Sequence, residues 1–314
     1  MIHKPMDVLQ QFPIRKSKKQ KQAFRDAAVS YLQKQGYPVT VEKGSFGAHN
    51  IVAGDPEAAK YLITAHYDTP ASIGLPNFIA PNNPFVYILF QVFVVGILLG
   101  VSGGLSFLVY RVSDAKTASL SWYALYFGIL FLMLMGPANR NNANDNTSGV
   151  VTVLETATTM PENLRAQVCF VLFDLEEAGL IGSSSYQKNH KEATMNQIVL
   201  NLDCVGDGDV IQLTPVKKAK KDQRILDLLS SVCGSVGEKE LRLRHKGFTA
   251  GSSDHKNFPN GVGIMSFRYQ KGIGLYCGRI HTWRDTVLEY TNVNILRAAL
   301  ISMIAGEKTM KTEK

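Results

Sequence analysis

The sequence predicts an α/β protein with a mixed, mostly parallel central sheet flanked by helices, into which two long apolar helices are inserted. Short apolar runs bounded by polar residues alternate with helical patterns, and this alternation is typical of parallel sheets. The chain has 314 residues, enough for one large α/β domain. Two uncharged stretches are long enough to cross a lipid bilayer.

The first part of the chain predicts one helix and three strands. Residues 17–35 place apolar side chains on one face, and Gly36 follows them, so they predict an amphipathic helix with a glycine stop. Short strands are predicted near 38–42, 48–53 and 60–66.

Basic residues cluster around the start of this helix, and the whole chain carries a net charge of +8. A charge cluster is most often a solvated face, although an anionic membrane would give it a second use. The chain has no zinc-finger spacing and no regular interleaving of basic and aromatic residues, so no nucleic-acid partner is expected. The clustered residues are Arg15, Lys16, Lys18, Lys19 and Lys21.

The two apolar stretches predict a transmembrane helical hairpin. Residues 84–110 contain no charge, and residues 118–136 form a second uncharged run after a seven-residue turn. About 20 apolar residues suffice to cross the hydrocarbon core. We therefore expect residues 84–136 to contact the bilayer. Gly96, Gly100 and Gly104 are spaced four apart, which predicts close approach of a second helix.

The hairpin is expected to be an insertion in one domain. Both ends of a hairpin emerge on the same side of a membrane, so residues 1–77 and 139–314 can fold together as a single domain, with 78–138 as the insertion. The later segments are predicted as helices at 147–159, from Thr214–Pro215 to about 232, and at 291–306, and as strands at 166–173, 197–202, 240–244, 263–268 and 273–276.

Polar side chains that bind metals or move protons recur at the predicted strand ends. Two histidines and several carboxylates meeting at one sheet edge require a compensating cation. Nitrogen and carboxylate ligands without a thiolate suit zinc, and a bridging carboxylate suits two ions about 3.5–4 Å apart. The groups are His66 with Asp68, Asn144–Asn146, Asp174 to Glu177, Asn201 to Asp203, and His281.

These groups form motifs that resemble the M28 family of zinc aminopeptidases. The most specific is EEAGLIGS at 176–183, followed by DNTSG at 145–149. The resemblance covers about residues 17–306 apart from the apolar hairpin. His66 and Asp145 lie 79 residues apart where the family has a short loop, and the hairpin accounts for the excess. The other motifs are HYD at 66–68, NLDCVG at 201–206, SDHKNF at 253–258 and HTWRDT at 281–286.

The resemblance implies five ligands for two Zn²⁺ ions. Asp145 would bridge the ions. His66 and Asp203 would complete one metal site, and Glu177 and His281 the other. All five positions hold residue types that can bind zinc.

It also implies catalytic roles. Glu176 would be the general base for a metal-bridging water that acts as nucleophile. Asp68 would hold the ring of His66, and Asp285 would do the same for His281. Asp254 is either a contact for the substrate amine or an ordinary loop carboxylate.

The expected function is a membrane-anchored di-zinc metallopeptidase, an aminopeptidase acting on peptides with a free N-terminus. Glutaminyl cyclisation or carboxypeptidase activity on the same scaffold stays open, as does a non-catalytic membrane receptor or scaffold. The first residues lack a secretory apolar region, and the four cysteines form no CxxC pair, which favours a reducing compartment.

The expected location is the cell membrane, with two spans and a cytoplasmic catalytic domain. Charge counting alone opposes this orientation, because Arg111 and Lys116 lie in the turn and only Arg140 lies close to the other ends of the spans. Long flanking domains weaken such counts.

Overall fold

A computed structural model describes residues 1–72, 77–249 and 251–312, and ten strands in these residues form one sheet. Their order across the sheet is β1-β2-β4-β3-β5-β9-β6-β8-β7, with β10 paired to β9. The strands are β1 Val39–Lys43, β2 His49–Ala53, β3 Tyr61–His66, β4 Val168–Phe173, β5 Ile198–Leu202, β6 Val210–Pro215, β7 Gly234–Val236, β8 Lys239–Leu243, β9 Gly261–Gln270 and β10 Gly274–Tyr276.

Helices flank the sheet, and two of them form the apolar insertion. They are α1 Asp7–Gln11, α2 Lys18–Lys34, α3 Pro84–Tyr110, α4 Ala115–Met135, α5 Gly149–Thr159, α6 Glu162–Arg165, α7 Ile181–Asn189, α8 Lys191–Thr194, α9 Gln223–Ser230 and α10 Tyr290–Thr312. The predicted α/β class is confirmed.

The centre of the sheet is parallel and its margins are antiparallel. Strand β3 pairs in parallel with β4 and with β5, and β5 pairs in parallel with β9. Both β3 and β4 are buried along their whole length, which explains their continuous apolar sequences. Parallel neighbours end at the same edge, so residues just after β3, β4 and β5 meet there.

Two apolar clusters cover the faces of the sheet. The larger contains residues of α2, α5, α9 and α10, and the smaller contains Tyr186 of α7 together with Phe258. Helix α2 begins at a capping box, in which the Ser17 hydroxyl accepts a hydrogen bond from the Gln20 N–H and the Gln20 side chain accepts one from the Ser17 N–H.

The predicted helix from Thr214–Pro215 is wrong. These two residues end strand β6, where Pro215 lies opposite Val262 of β9. A Thr-Pro pair can begin a helix, but a proline is also tolerated at the end of a strand, and the pairing with β9 decides the outcome. Helix α9 begins later, with Asp222 as its N-cap.

The basic cluster before α2 is only partly a solvated face. Arg15 and Lys21 are buried. The Lys21 ammonium lies 2.7 Å from the carboxylate of Asp174, at the end of β4. The expectation of an exposed cluster is therefore wrong for these two cations.

Helices α3 and α4 are long and apolar enough to cross a membrane. They have 27 and 21 residues and mean hydropathies of 2.4 and 1.7, and little of either helix is buried. Asn83 and Asp114 cap their N-termini through side-chain oxygens. The two helices pack on each other, and the Ser106 hydroxyl donates a hydrogen bond to the Ala118 carbonyl at 2.5 Å.

The glycine face of α3 does not pack against α4. A Cβ atom added to Gly96, Gly100 or Gly104 would meet no neighbouring heavy atom within 4 Å among the described residues. The buried residues of α3 are Leu98 and two serines, one of which bonds to α4. The glycines thus do not mediate the contact within this hairpin.

Both ends of the apolar insertion are fastened to the rest of the chain. The Ser72 N–H donates to the Pro137 carbonyl at 2.8 Å, and the Asn139 N–H donates to the Pro70 carbonyl at 2.9 Å. Strands from before and after the insertion share the same sheet. The chain therefore leaves the sheet near residue 70 and returns beside its point of departure.

Candidate metal centre

Neighbouring parallel strands bring His66 and Asp203 together. His66 is the last residue of β3, and Asp203 follows β5 directly. The His66 Nε2 atom lies 3.6 Å from Asp203 Oδ1 and 3.4 Å from Asp145 Oδ1. One imidazole nitrogen thus points at two carboxylates.

Asp145 lies in an irregular helical segment, Ala143–Ser148, just before α5. Its peptide bond to Asn146 is cis. The Asn146 amide donates to the Leu202 carbonyl at 2.9 Å, and its oxygen accepts from the Cys204 N–H at 3.2 Å. This side chain ties the Asp145 segment to the end of β5.

Asp145 also contacts the second histidine. The His281 Nε2 atom lies 3.0 Å from Asp145 Oδ2 and 3.6 Å from Glu177 Oε2. Asp145 therefore presents one carboxylate oxygen to His66 and the other to His281.

Asp285 orients Asp145 through its backbone. Its two carboxylate oxygens accept hydrogen bonds from the N–H groups of Asn144, at 2.7 Å, and Asp145, at 2.9 Å. Burial, reinforced by the Asp145 charge, raises the pKa of Asp285 to about 7. The sequence-based expectation placed this carboxylate on the His281 ring, and its hydrogen bonds go to the Asp145 segment instead.

Asp68 connects His66 with the paired glutamates. One of its oxygens lies 3.5 Å from His66 Nδ1 and also accepts from the Glu176 N–H at 3.0 Å. Its other oxygen accepts from the Glu177 N–H at 3.2 Å. The carboxylate thus lies close to His66 Nδ1, which also faces the Asp68 carbonyl at 3.3 Å, and it holds the loop that follows β4.

Arg15 lies next to the end of β3 and the segment that carries Asp145. It is fully buried, and its guanidinium donates to the Tyr67 carbonyl at 2.5 Å and to the Thr147 hydroxyl at 3.1 Å. Burial lowers the pKa of Arg15 to about 10, against the attraction of Asp68 and Asp145, so it stays cationic at neutral pH. The cation links the end of β3 to the segment that carries Asp145.

Two buried carboxylate oxygens of the candidate ligands accept no hydrogen bond from the described residues. They are Asp145 Oδ1 and Asp203 Oδ1, and both atoms are buried. Buried oxygens of this kind are rare, and a bound cation would satisfy them. Among the described residues, three sets of donor atoms lie within 4.8 Å of one another: His66 with Glu176 and Asp203, His66 with Asp145 and Glu177, and Asp145 with Asp203 and Cys204.

The electrostatics of the cluster favour a cation. Removal from water raises the pKa of Glu177 to about 8 and that of Glu176 well above its ordinary value. Burial alone would lower the pKa of His281, but Glu177 and Asp145 raise it to about 9. The cluster thus holds protons that a divalent cation would displace. The nitrogen and carboxylate donors suit zinc.

The cluster opens into a cavity of about 390 Å³. Its polar wall carries the metal-binding candidates and Glu176, and apolar side chains form much of the remaining lining. The apolar residues are Ile79, Leu134, Ile264, Met265, Phe267 and Ile280.

The family model that describes peptidase family M28 matches residues 130–303 of the sequence, more than half of the chain. The chain belongs to peptidase family M28. A comparison with curated proteins gives no match.

Solved structures with the same fold include a cyclase and aminopeptidases. Glutaminyl cyclase from Porphyromonas gingivalis is 17% identical with a TM-score of 0.61, and the alignment covers 96% of each chain. A leucine aminopeptidase precursor from Bacteroides thetaiotaomicron is 16% identical with a TM-score of 0.56, covering 96% of this chain and 94% of the other. The LapA aminopeptidase of Legionella pneumophila is 13% identical with a TM-score of 0.54, covering 96% and 69%.

The structure brings the sequence-predicted site residues of this M28 peptidase into one cluster. Sequence reasoning missed the supporting contacts of Arg15 and Asn146, and the Cys204 thiol that lies beside Asp145 and Asp203. Asn146 lies inside the recognised DNTSG motif, which was a usable signal. No sequence pattern indicated that Arg15 is buried beside the site, because it lies among the other basic residues around the start of α2.

Proposed function

We propose that this M28 peptidase is a membrane-anchored zinc aminopeptidase that removes N-terminal residues from peptides. The observation that carries the proposal is the position of Asp145, which directs one carboxylate oxygen to each of two histidines. Family membership supports a hydrolase that acts on peptides.

The proposed ligand set would hold two Zn²⁺ ions. His66 and Asp203 would serve one ion, Glu177 and His281 would serve the other, and Asp145 would serve both. The short distances within each group and the two buried oxygens without hydrogen bonds support this assignment. Every position holds a competent donor, which favours an enzyme over a non-catalytic receptor.

When bound, zinc lowers the pKa of water and polarises the substrate carbonyl. Glu176 accepts a proton from the attacking water and passes it to the leaving amine. Asp68 keeps the His66 ring and the backbone of Glu176 in place. The apolar lining of the cavity limits the access of other water molecules.

The test combines metal analysis with a substrate panel. The full-length protein should contain two zinc ions per chain and hydrolyse peptides with a free N-terminus. N-acetylated versions of the same peptides are the matched control and should resist cleavage. Asp145→Ala should abolish zinc binding, and a full metal complement in that variant would refute its role as a ligand.

Glutaminyl cyclisation is the second candidate, because the fold aligns with the Porphyromonas gingivalis cyclase over nearly the whole of both chains. A cyclase would release ammonia from peptides that begin with glutamine and leave their first peptide bond intact. An aminopeptidase would release free glutamine. Mass analysis of one peptide therefore separates the two reactions.

The proposed location is the cell membrane, with α3 and α4 as the two spans and the catalytic domain in the cytoplasm. The length and apolar character of these helices support the spans. In sealed right-side-out cells, external protease should leave the catalytic domain intact and should degrade it once the membrane is permeabilised. Degradation in intact cells would reverse the orientation.

A further inference from the structure

The cavity beside the metal centre is lined partly by the membrane hairpin insertion. Most of its lining comes from the catalytic domain, including Ile264, Met265 and Phe267 of β9. Two apolar side chains come from the insertion itself: Ile79 precedes α3, and Leu134 lies in the last turn of α4.

Ile79 is fastened to the catalytic domain. Its N–H donates to the Cys277 carbonyl at 2.8 Å, and its carbonyl accepts from the Cys277 N–H at 2.9 Å. Its half-buried side chain packs against the apolar cluster that contains Phe267 and Ile280, which also line the cavity. The position of Ile79 in the wall is therefore set by backbone pairing as well as by packing.

Leu134 stands at the rim of the cavity. Its side chain is 56% exposed, and its carbonyl accepts a hydrogen bond from the Lys16 ammonium at 3.2 Å. That bond holds the end of α4 against the segment that precedes α2. Leu132 lies two residues earlier on the same helix and is 57% exposed, but it is not part of the cavity lining.

The lining of the cavity favours an apolar substrate side chain. Among the described residues, its acidic side chains are those of the metal cluster and the adjacent Glu176, and its lysine is Lys256. Once zinc is bound, Glu176 is the one lining carboxylate among the described residues outside the proposed ligand set, and it serves the reaction itself. A volume of about 390 Å³ accommodates a leucine or phenylalanine side chain beside the scissile bond.

We propose that the hairpin insertion forms part of the specificity pocket, in which Ile79 and Leu134 contact an apolar N-terminal side chain of the substrate. This inference rests on the proposed aminopeptidase function. It makes the insertion a determinant of substrate choice as well as a membrane anchor.

The test compares Leu134→Ala with Leu132→Ala in the full-length protein in lipid nanodiscs. The kcat/KM for leucyl, phenylalanyl, alanyl, glycyl, lysyl and glutamyl amides would be measured for each. The unaltered protein should favour leucyl over glycyl substrates by about tenfold to a few hundredfold. Each methylene that loses apolar contact costs about fourfold, so Leu134→Ala should lower the leucyl-to-alanyl ratio by about fourfold or more.

Two further variants, Ile79→Ala and Leu134→Met, extend the comparison. Ile79→Ala should lower the same ratio, mainly through KM, while the zinc content stays unchanged. Leu134→Met, which nearly conserves volume, should restore it. Leu132→Ala should leave it unchanged. An unaltered ratio in both Leu134→Ala and Ile79→Ala, or an equal fall in Leu132→Ala, would overturn the proposal.

A binding measurement separates this proposal from the proposed function. In a Glu176→Gln background, leucinamide and alaninamide can be titrated by calorimetry without turnover. Leu134→Ala should weaken leucinamide binding by about fourfold and leave alaninamide unaffected. If Leu134→Ala weakens leucinamide binding as expected but the unaltered protein hydrolyses no aminoacyl substrate, the proposed aminopeptidase function is wrong and the proposed side-chain pocket is supported. If aminoacyl substrates are hydrolysed but the leucyl-to-alanyl ratio does not change in the variants, the proposed pocket is wrong and the aminopeptidase function is unaffected.

Discussion

Asp145 is the residue that lies close to both histidines of the candidate centre. Its two oxygens face His66 and His281, and its backbone N–H is held by Asp285. The sequence supplied these residue types, and its resemblance to family M28 implied that Asp145 serves both histidine sites. The role of Asp285 did not come from the sequence, since a hydrogen bond to a backbone 140 residues away depends on the fold.

Glu176→Gln should retain zinc and lose activity. Glutamine keeps the size of the side chain but cannot accept and return a proton, so kcat should fall by about 10²- to 10⁴-fold. Steady-state kinetics and elemental analysis of the same preparation check both parts. Glu162→Gln, an exposed glutamate at the start of α6, is the control and should behave as the unaltered protein. Undiminished turnover in Glu176→Gln would remove Glu176 from the mechanism.

Asp285→Asn should weaken zinc binding without removing a ligand. An amide has one acceptor oxygen, so one of the two hydrogen bonds to the Asn144 and Asp145 backbone is lost. Loss of such a supporting contact typically lowers metal affinity by about 10- to 100-fold. Competition with a fluorescent chelator measures the affinity. Asp227→Asn, on the exposed side of α9, should leave it unchanged, and an equal affinity in both variants would contradict the positioning role.

Secondary structure elements bring the ligands together because the central strands are parallel. Strands β3, β4 and β5 were recognisable as short apolar runs, since they are buried on both faces. Strands β6 and β7 were missed. Strand β6 ends in a Thr-Pro pair, which can also begin a helix. The pairing of β6 with β9 decides in favour of the strand.

Lys21→Met should destabilise the contact between α2 and the end of β4. The Lys21 ammonium is paired with Asp174, whose side chain is fully buried, and the change leaves that carboxylate without its closest cation. Breaking a buried pair costs about 3–5 kcal/mol in the free energy of unfolding. Chemical denaturation followed by tryptophan fluorescence measures the loss. Lys18→Met, at an exposed position of the same helix, should change stability by no more than about 0.5 kcal/mol.

The whole molecule combines a sheet domain with an apolar hairpin that leaves and returns at one place. Residues 1–77 and 139–314 contribute strands to the same sheet, and the Asn139 N–H donates to the Pro70 carbonyl at 2.9 Å where the two pieces meet. The proposed domain organisation is therefore one catalytic domain with an insertion at 78–138. The cavity beside the candidate metal centre lies where the two parts join, because both contribute to its lining.

Replacing residues 78–138 with a short linker should produce a soluble protein that still binds zinc. All the proposed ligands lie outside the deleted segment, and the Asn139 N–H just after it donates to the carbonyl of Pro70, shortly before it. The preference for leucyl substrates should fall, because Ile79 and Leu134 are removed. Size-exclusion chromatography without detergent and zinc analysis test the first part. Loss of zinc from a folded deletion protein would show that the hairpin supports the metal centre itself.

The sequence by itself determined the α/β class, the two apolar helices and the set of nitrogen and oxygen donors. These depend on side-chain periodicity, segment length and the chemistry of individual residues, all of which are local to the chain. Only the tertiary structure decided which oxygen of Asp145 faces which histidine, and that Ile79 and Leu134 enter the cavity. Such contacts join segments far apart in the chain, so they exist only when the sheet and the hairpin are packed together.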